Sequence, residues 1–126
     1  MALEKNDERT FLQTLASIGF CAVNMGNMVS ARTIFEGLAA ARPDHETPGI
    51  GLAMSHYMVD EFEAAEDILR ALMRDKPDCR LAGVHLALCL LLAGRKDEAV
   101  PLLREAEKLE DPLIGGMVEE LLGRTA

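Results

Sequence analysis

The chain is predicted to be all-α, an α-solenoid of three helical hairpins closed by a seventh, capping helix. Two observations predict it. The first is an internal repeat. Ala31, Ala65 and Ala99 stand 34 residues apart, and the same step carries Ile18 to Leu52 to Leu86, Gly19 to Ala53 to Ala87, Gly26 to Asp60 to Gly94, and Phe35 to Leu69 to Leu103. A fixed period of this size marks stacked supersecondary units, none of which can bury its apolar face alone. The second is composition. The 126 residues are 49% apolar but only 4% aromatic, with no Trp. A core of Leu, Ala and Met suits closely packed helices better than a sandwich of strands.

The elements follow in order. Residues 1–9 hold Glu4, Lys5, Asp7, Glu8 and Arg9, so they offer no apolar signal segment and are expected to be a flexible lead-in to one domain over 10–126. The repeats fall at about 12–45, 46–79 and 80–111. Each supplies two helices of roughly 14 residues, predicted over 10–25 and 28–41, 47–59 and 62–75, then 79–93 and 96–109. Thr47 before Pro48 reads as an N-cap and first helical residue, and Asp111 before Pro112 repeats the arrangement. The capping helix is therefore placed at 112–122, with Gly123 to end it and Leu113, Met117, Leu121 and Leu122 along one side to close the array. Pro101 is tolerable only where its helix has barely begun.

These residues resemble the tetratricopeptide repeat, whose pattern runs bulky residue, Leu, Gly, later Ala, an aromatic and a closing Pro. The sequence answers with Leu15, Ile18, Gly19, Ala31, Phe35 and Pro43, then Leu52, Ala53, Ala65, Leu69 and Pro77, then Leu86, Ala87, Ala99 and Leu103. The likeness spans about 12–112. It departs from the pattern at Gly49 and Gly83, where the bulky residue belongs, and at Ala22, His56 and Leu90, where the usual tyrosine belongs.

Several function classes are set aside. A net charge of −8 opposes a phosphate backbone. The densest apolar run, Leu86 to Ala93, is too short to span a membrane. Glu61, Glu63, Glu66 and Asp67 read as a solvated helix face. Three cysteines without a CxxC pair read as free thiols, and His45, His56 and His85 lack metal-ligand spacing. Cys89 and His85 stand one helical turn apart, but nothing in the sequence supplies a third group or an oxyanion site. Gly115 and Gly116 lack the surroundings of a phosphate loop. No catalytic residue, cofactor or metal is assigned, and the chain is read as a non-enzymatic binding protein.

The first helix of each hairpin carries a second apolar face beyond the one its repeat requires. Phe20 and Val23 form it in the first, Ile50, Met54, Tyr57 and Met58 in the second, and Leu81, Val84, Leu88, Leu91 and Leu92 in the third. By resemblance to the repeat family these side chains line the concave groove. Tetratricopeptide co-chaperones that hold an acidic peptide tail place Lys and Asn there. Here those positions include Ala16, Phe20, Ile50, Met54 and Val84, so a carboxylate clamp is not available. An apolar, Met-containing surface suits the stripe of an amphipathic helix instead.

The stretch Ala82 to Gly94 and the ending Asp111, Pro112, Leu121, Leu122 and Gly123 resemble the small repeat proteins of bacterial type III secretion, the Hrp-type family and the YscG and PscG needle-subunit chaperones. The resemblance implies a cytoplasmic chaperone of a virulence secretion system. Its groove would hold the amphipathic helix of a small client, a needle or related subunit, sometimes beside a second small co-chaperone. A general assembly scaffold and a self-associating homodimer that uses the groove are the alternatives.

Overall fold

The structure, a computed structural model, describes residues 5–125. They form seven helices: α1 (Lys5–Asn24), α2 (Met28–Ala41), α3 (Thr47–Tyr57), α4 (Phe62–Asp75), α5 (Arg80–Leu92), α6 (Lys96–Glu107) and α7 (Pro112–Gly123). The sequence repeat becomes geometry at the turns inside the hairpins. Gly26, Asp60 and Gly94 adopt left-handed φ of 81°, 65° and 80°. The next amide donates to the carbonyl five residues back, Asn27 to Ala22 at 2.8 Å, Glu61 to His56 at 3.0 Å and Arg95 to Leu90 at 2.8 Å. This Schellman closure satisfies carbonyls that the ending helix orphans. Two of the three positions use glycine, which takes the conformation without a Cβ clash, whereas Asp60 takes it with one.

Several boundaries differ from the sequence reading, each for a local reason. Residues 5–9, expected to be flexible, are the opening turns of α1, while residues 1–4 lie outside the described residues. Asp7 and Glu8 in the first turn complement the positive end of the helix dipole, and Arg42 Nη2 donates to Glu8 Oε1 at 3.2 Å. At α3 the N-cap is Glu46 rather than Thr47, with no side-chain capping bond. Asn27 does cap α2, accepting from the Ser30 amide at 3.2 Å, and Asp111 caps α7, accepting from the Leu113 and Ile114 amides at 3.0 and 3.2 Å. Pro101 lies inside α6 rather than at its start. Both Pro101 and Asp97, whose carbonyl loses the bond, are exposed, which puts the break on the solvent side of the helix. In α7 the buried row is Ile114, Val118 and Leu121, with Leu113 69% exposed.

Each hairpin packs on the next through its second helix, α2 on α3, α4 on α5 and α6 on α7, while α1, α3, α5 and α7 also touch one another in succession. The second helices make no such direct contacts among themselves. One layer is therefore continuous and the other spaced, which is the packing of a solenoid curved toward the continuous, inner layer.

Two devices join the first two hairpins. Phe35 of α2 is fully buried between Gly19 of α1 and Gly51 of α3. A Cβ at Gly19 would stand 2.7 Å from the ring's Cζ, and one at Gly51 would overlap three ring carbons. Alongside, Arg32 of α2 donates through Nε to Ser55 Oγ at 3.1 Å and through Nη2 to the Ser55 carbonyl at 2.9 Å, and pairs with Glu61. One repeat later the pair recurs with its charges exchanged: Glu66 stands at the position of Arg32, Arg95 at that of Glu61, and Arg95 Nη1 donates to both Glu66 oxygens at 2.8 and 3.1 Å. Glu61 and Glu66, expected on a solvated face, are thus junction residues.

Candidate binding face

The residues expected to line the groove separate into rows once the helices are stacked. Phe20, Met54 and Leu88 share one repeat position on α1, α3 and α5, and all three are half-buried. Each leaves part of its side chain open, giving an apolar row at one repeat position across the inner layer. Met54 packs against all three buried clusters, and Phe20 meets Phe35 edge to face with ring centroids 4.8 Å apart. Met58 and Leu92 share a second position and are 49% and 51% exposed. Leu81 and Leu91 are half-buried.

The other four residues do not face outward. Val23 and Tyr57 are each 2% exposed, Ile50 5% and Val84 1%. They lie where one inner helix meets the next, so a neighbouring helix already occupies the place a partner would take. The sequence shows that these helices are apolar on two faces, and only the stacking shows that part of the second face is consumed within the layer. They are supports of the face rather than contacts.

The deepest support is polar. Tyr57 and His85 share a hydrogen bond of 2.9 Å between the phenol oxygen and Nδ1, linking α3 to α5. Burial holds the phenol well above the ordinary tyrosine range and pushes the imidazole down to about 4. His85 is therefore neutral near pH 7. The Cys89 thiol is also pushed up by burial and donates to the Phe62 carbonyl at 3.5 Å. Cys89 and His85 thus each serve a different structural partner, and the thiolate a nucleophile needs is disfavoured. Among the described residues no group of three or more His, Cys, Asp or Glu is placed to hold a metal ion. Nor is any of their helices long and apolar enough to cross a membrane.

A cleft elsewhere on the surface escaped the sequence reading. Between the N-terminal half of α1 and the corner joining α2 to α3 lies a cleft of about 710 Å³. Leu12, Ala16, Leu38 and Pro48 line it together with Glu8, Arg9 and Arg42. Treating residues 5–9 as flexible removes one wall of this cleft. The acids Asp7 and Glu8 so close to a helical apolar pattern were the signal that could have recovered it.

The fold is a helical-repeat solenoid of the tetratricopeptide type, and two solved structures share that architecture across nearly their whole length. SycD, a type III secretion translocator chaperone of Yersinia enterocolitica crystallised as an alternative dimer, matches with a TM-score of 0.70 and 20% identity, covering 90% of this chain and 92% of SycD. PcrH, solved in complex with the chaperone binding region of PopB, matches with a TM-score of 0.72 and 21% identity, covering 99% and 98% of the two chains. At such identity the likeness is one of fold. No family model matches the chain, and no curated protein matches it by sequence.

Proposed function

We propose that this protein is a secretion chaperone that holds a segment of a translocator-type client against its inner helical layer. The observation that carries the reading is the row of Phe20, Met54 and Leu88, continued by Met58 and Leu92. It is an apolar line left partly open across three successive helices of a chain with net charge −8. An exposed apolar line of this kind suits capture of a partner's apolar residues. SycD supports the secretion setting by its name, and PcrH supports client capture by its bound region of PopB. Both likenesses favour a translocator over the needle subunit that the sequence resemblance implied. The bacterial cytoplasm is the compartment proposed, and an amphipathic helix is the client element proposed. A second small co-chaperone is not needed for this reading.

The mechanism is shielding. The client's apolar side chains are covered until export, and the face offers no group for covalent chemistry. Masking about 400 Å² of apolar area contributes on the order of 10 kcal/mol gross, before the cost of association. The test is coexpression with translocator and needle candidates from the same genome, followed by native mass spectrometry. A translocator should be recovered at fixed stoichiometry with the wild type. Met54→Glu combined with Leu88→Glu should abolish recovery with helicity intact, while Leu113→Glu should not. Recovery that survives the double variant refutes the assigned face, and selective recovery of the needle candidate refutes the client.

A further inference from the structure

We propose, resting on the chaperone reading, that the cleft between α1 and the α2–α3 corner selects the client by sequence. It takes an aliphatic side chain that has a carboxylate beside it. The repeat explains why the cleft is open. Ala16, Leu38, His45, Thr47 and Pro48 line it, and one repeat later their counterparts are Ile50, Leu72, Cys79, Leu81 and Ala82. Those five pack together where the second hairpin meets the third. Ile50, Cys79 and Ala82 are 5%, 6% and 0% exposed, with Leu72 and Leu81 against them.

The second junction is therefore filled by its own side chains, and the first is not. Ala16 lacks the branched chain of Ile50, Thr47 carries a hydroxyl where Leu81 is wholly apolar, and the exposed imidazole of His45 replaces a buried thiol. A place packed shut at one junction is left at about 710 Å³ at the other. That lies within the roughly 300–1,000 Å³ over which pockets bury small organic groups. An aliphatic side chain supplied from outside restores the dispersion contacts that this junction omits.

Charge sets the second requirement. Among the described residues Lys5, Arg9 and Arg42 line the cleft against one acid, Glu8, which accepts from Arg42 at 3.2 Å. Asp7, Asp44 and Glu46 stand nearby in the sequence but are exposed and outside the lining. A cation-lined cleft on a chain of net −8 runs against the charge of the molecule as a whole. It favours an anionic group in the occupant, and a guanidinium that donates two bonds to a carboxylate fixes its position as well. The cleft adjoins the client row, since Ala16 precedes Phe20 by about one turn of α1. One client segment can therefore set apolar residues on Phe20, Met54 and Leu88 and its acid-flanked aliphatic residue in the cleft.

The experiment is selection of a random peptide library, displayed on phage, against the full chain, with affinities of the enriched peptides measured by fluorescence anisotropy. Enriched peptides should carry Asp or Glu close to Leu, Ile or Val. Ala16→Ile reproduces the side chain of the second junction, so it should fold normally by circular dichroism and weaken these peptides roughly tenfold or more. Arg9→Glu should weaken them about three- to tenfold at low salt and less at high salt, and should turn the library preference from acids to Lys or Arg. Changing the peptide's acid to its amide should weaken binding to the wild type but not to Arg9→Glu. Leu113→Glu should bind as the wild type does. Enriched peptides without an acid, no enrichment at all, or binding that survives either cleft substitution unchanged would overturn the proposal. Should Ala16→Ile fail to fold, the preference switch in Arg9→Glu decides alone. Acid-selective binding combined with no translocator recovered on coexpression would support the cleft's specificity and count against the chaperone reading only.

Discussion

Replacing glycine by alanine should have opposite effects at two places in this fold. At Gly51 the new methyl overlaps the Phe35 ring, which is 0% exposed and hemmed on its other side by Gly19. Overpacking of a core costs about 1–3 kcal/mol, toward the upper end where a rigid ring cannot retreat. Against this stands the gain of about 1 kcal/mol in helix propensity. The net expectation for Gly51→Ala is a loss of about 2 kcal/mol. At Gly37, within α2, a Cβ meets nothing within 4 Å. Gly37→Ala should therefore keep the propensity gain of about 1 kcal/mol. The two variants should differ by about 3 kcal/mol, or roughly 10 °C in thermal midpoint for a domain of this size. The assay is urea unfolding followed by circular dichroism, with a thermal scan of each variant. Adding Phe35→Leu to Gly51→Ala should recover at least about 1 kcal/mol relative to additivity, because the two changes relieve one contact. A Gly51→Ala protein as stable as Gly37→Ala would refute the reasoning.

Other tests address the turns, the junctions and the buried imidazole. Asp60→Gly should stabilise by about 0.5–1 kcal/mol by relieving the left-handed Cβ, raising the urea midpoint without changing the slope. Arg32→Ala and Glu61→Ala should show a coupling of about 0.5–1 kcal/mol in a double-mutant cycle, and Arg32→Glu with Glu61→Arg should restore much of it by reproducing the polarity of Glu66 and Arg95. His85 has its folded-state value depressed from 6.5 to about 4. Its contribution is therefore fully present above about pH 6.5 and lost as pH falls toward 4, since only the unfolded chain binds the proton in that window. The loss by pH 4 is on the order of 3 kcal/mol. A His85→Gln protein should show a visibly flatter dependence of thermal midpoint between pH 7 and 5, and an unchanged slope would show that the imidazole is solvated.

Much of this architecture was legible because a repeat states the same instruction three times. Ala31, Ala65 and Ala99 are each 0% exposed, as are Phe35, Leu69 and Leu103, and their recurrence marks the hairpin interior. Gly26, Asp60 and Gly94 kept the step in the sequence, but only the backbone shows that their shared property is a left-handed conformation rather than a side chain. The apolar character of the candidate face was legible as a set of doubly apolar helices. The division of that set into Phe20, Met54 and Leu88 outside, and Val23, Ile50, Tyr57 and Val84 inside, was not. Periodicity gives the direction of a side chain about its own helix axis and carries no information on whether another helix lies in that direction.

Sequence alone therefore determined the number of hairpins, their order, their turns and the apolar character of the inner helices. These follow from local conformational preference and from period, which are properties of neighbouring residues. Tertiary structure decided which apolar residues remain open, that Glu61 and Glu66 bridge hairpins through Arg32 and Arg95, and that Phe11 and Ile18 are left bare on α1. Those outcomes depend on helix-to-helix distances between residues far apart in the chain, and solvent reaches a side chain only where no such neighbour has come to rest.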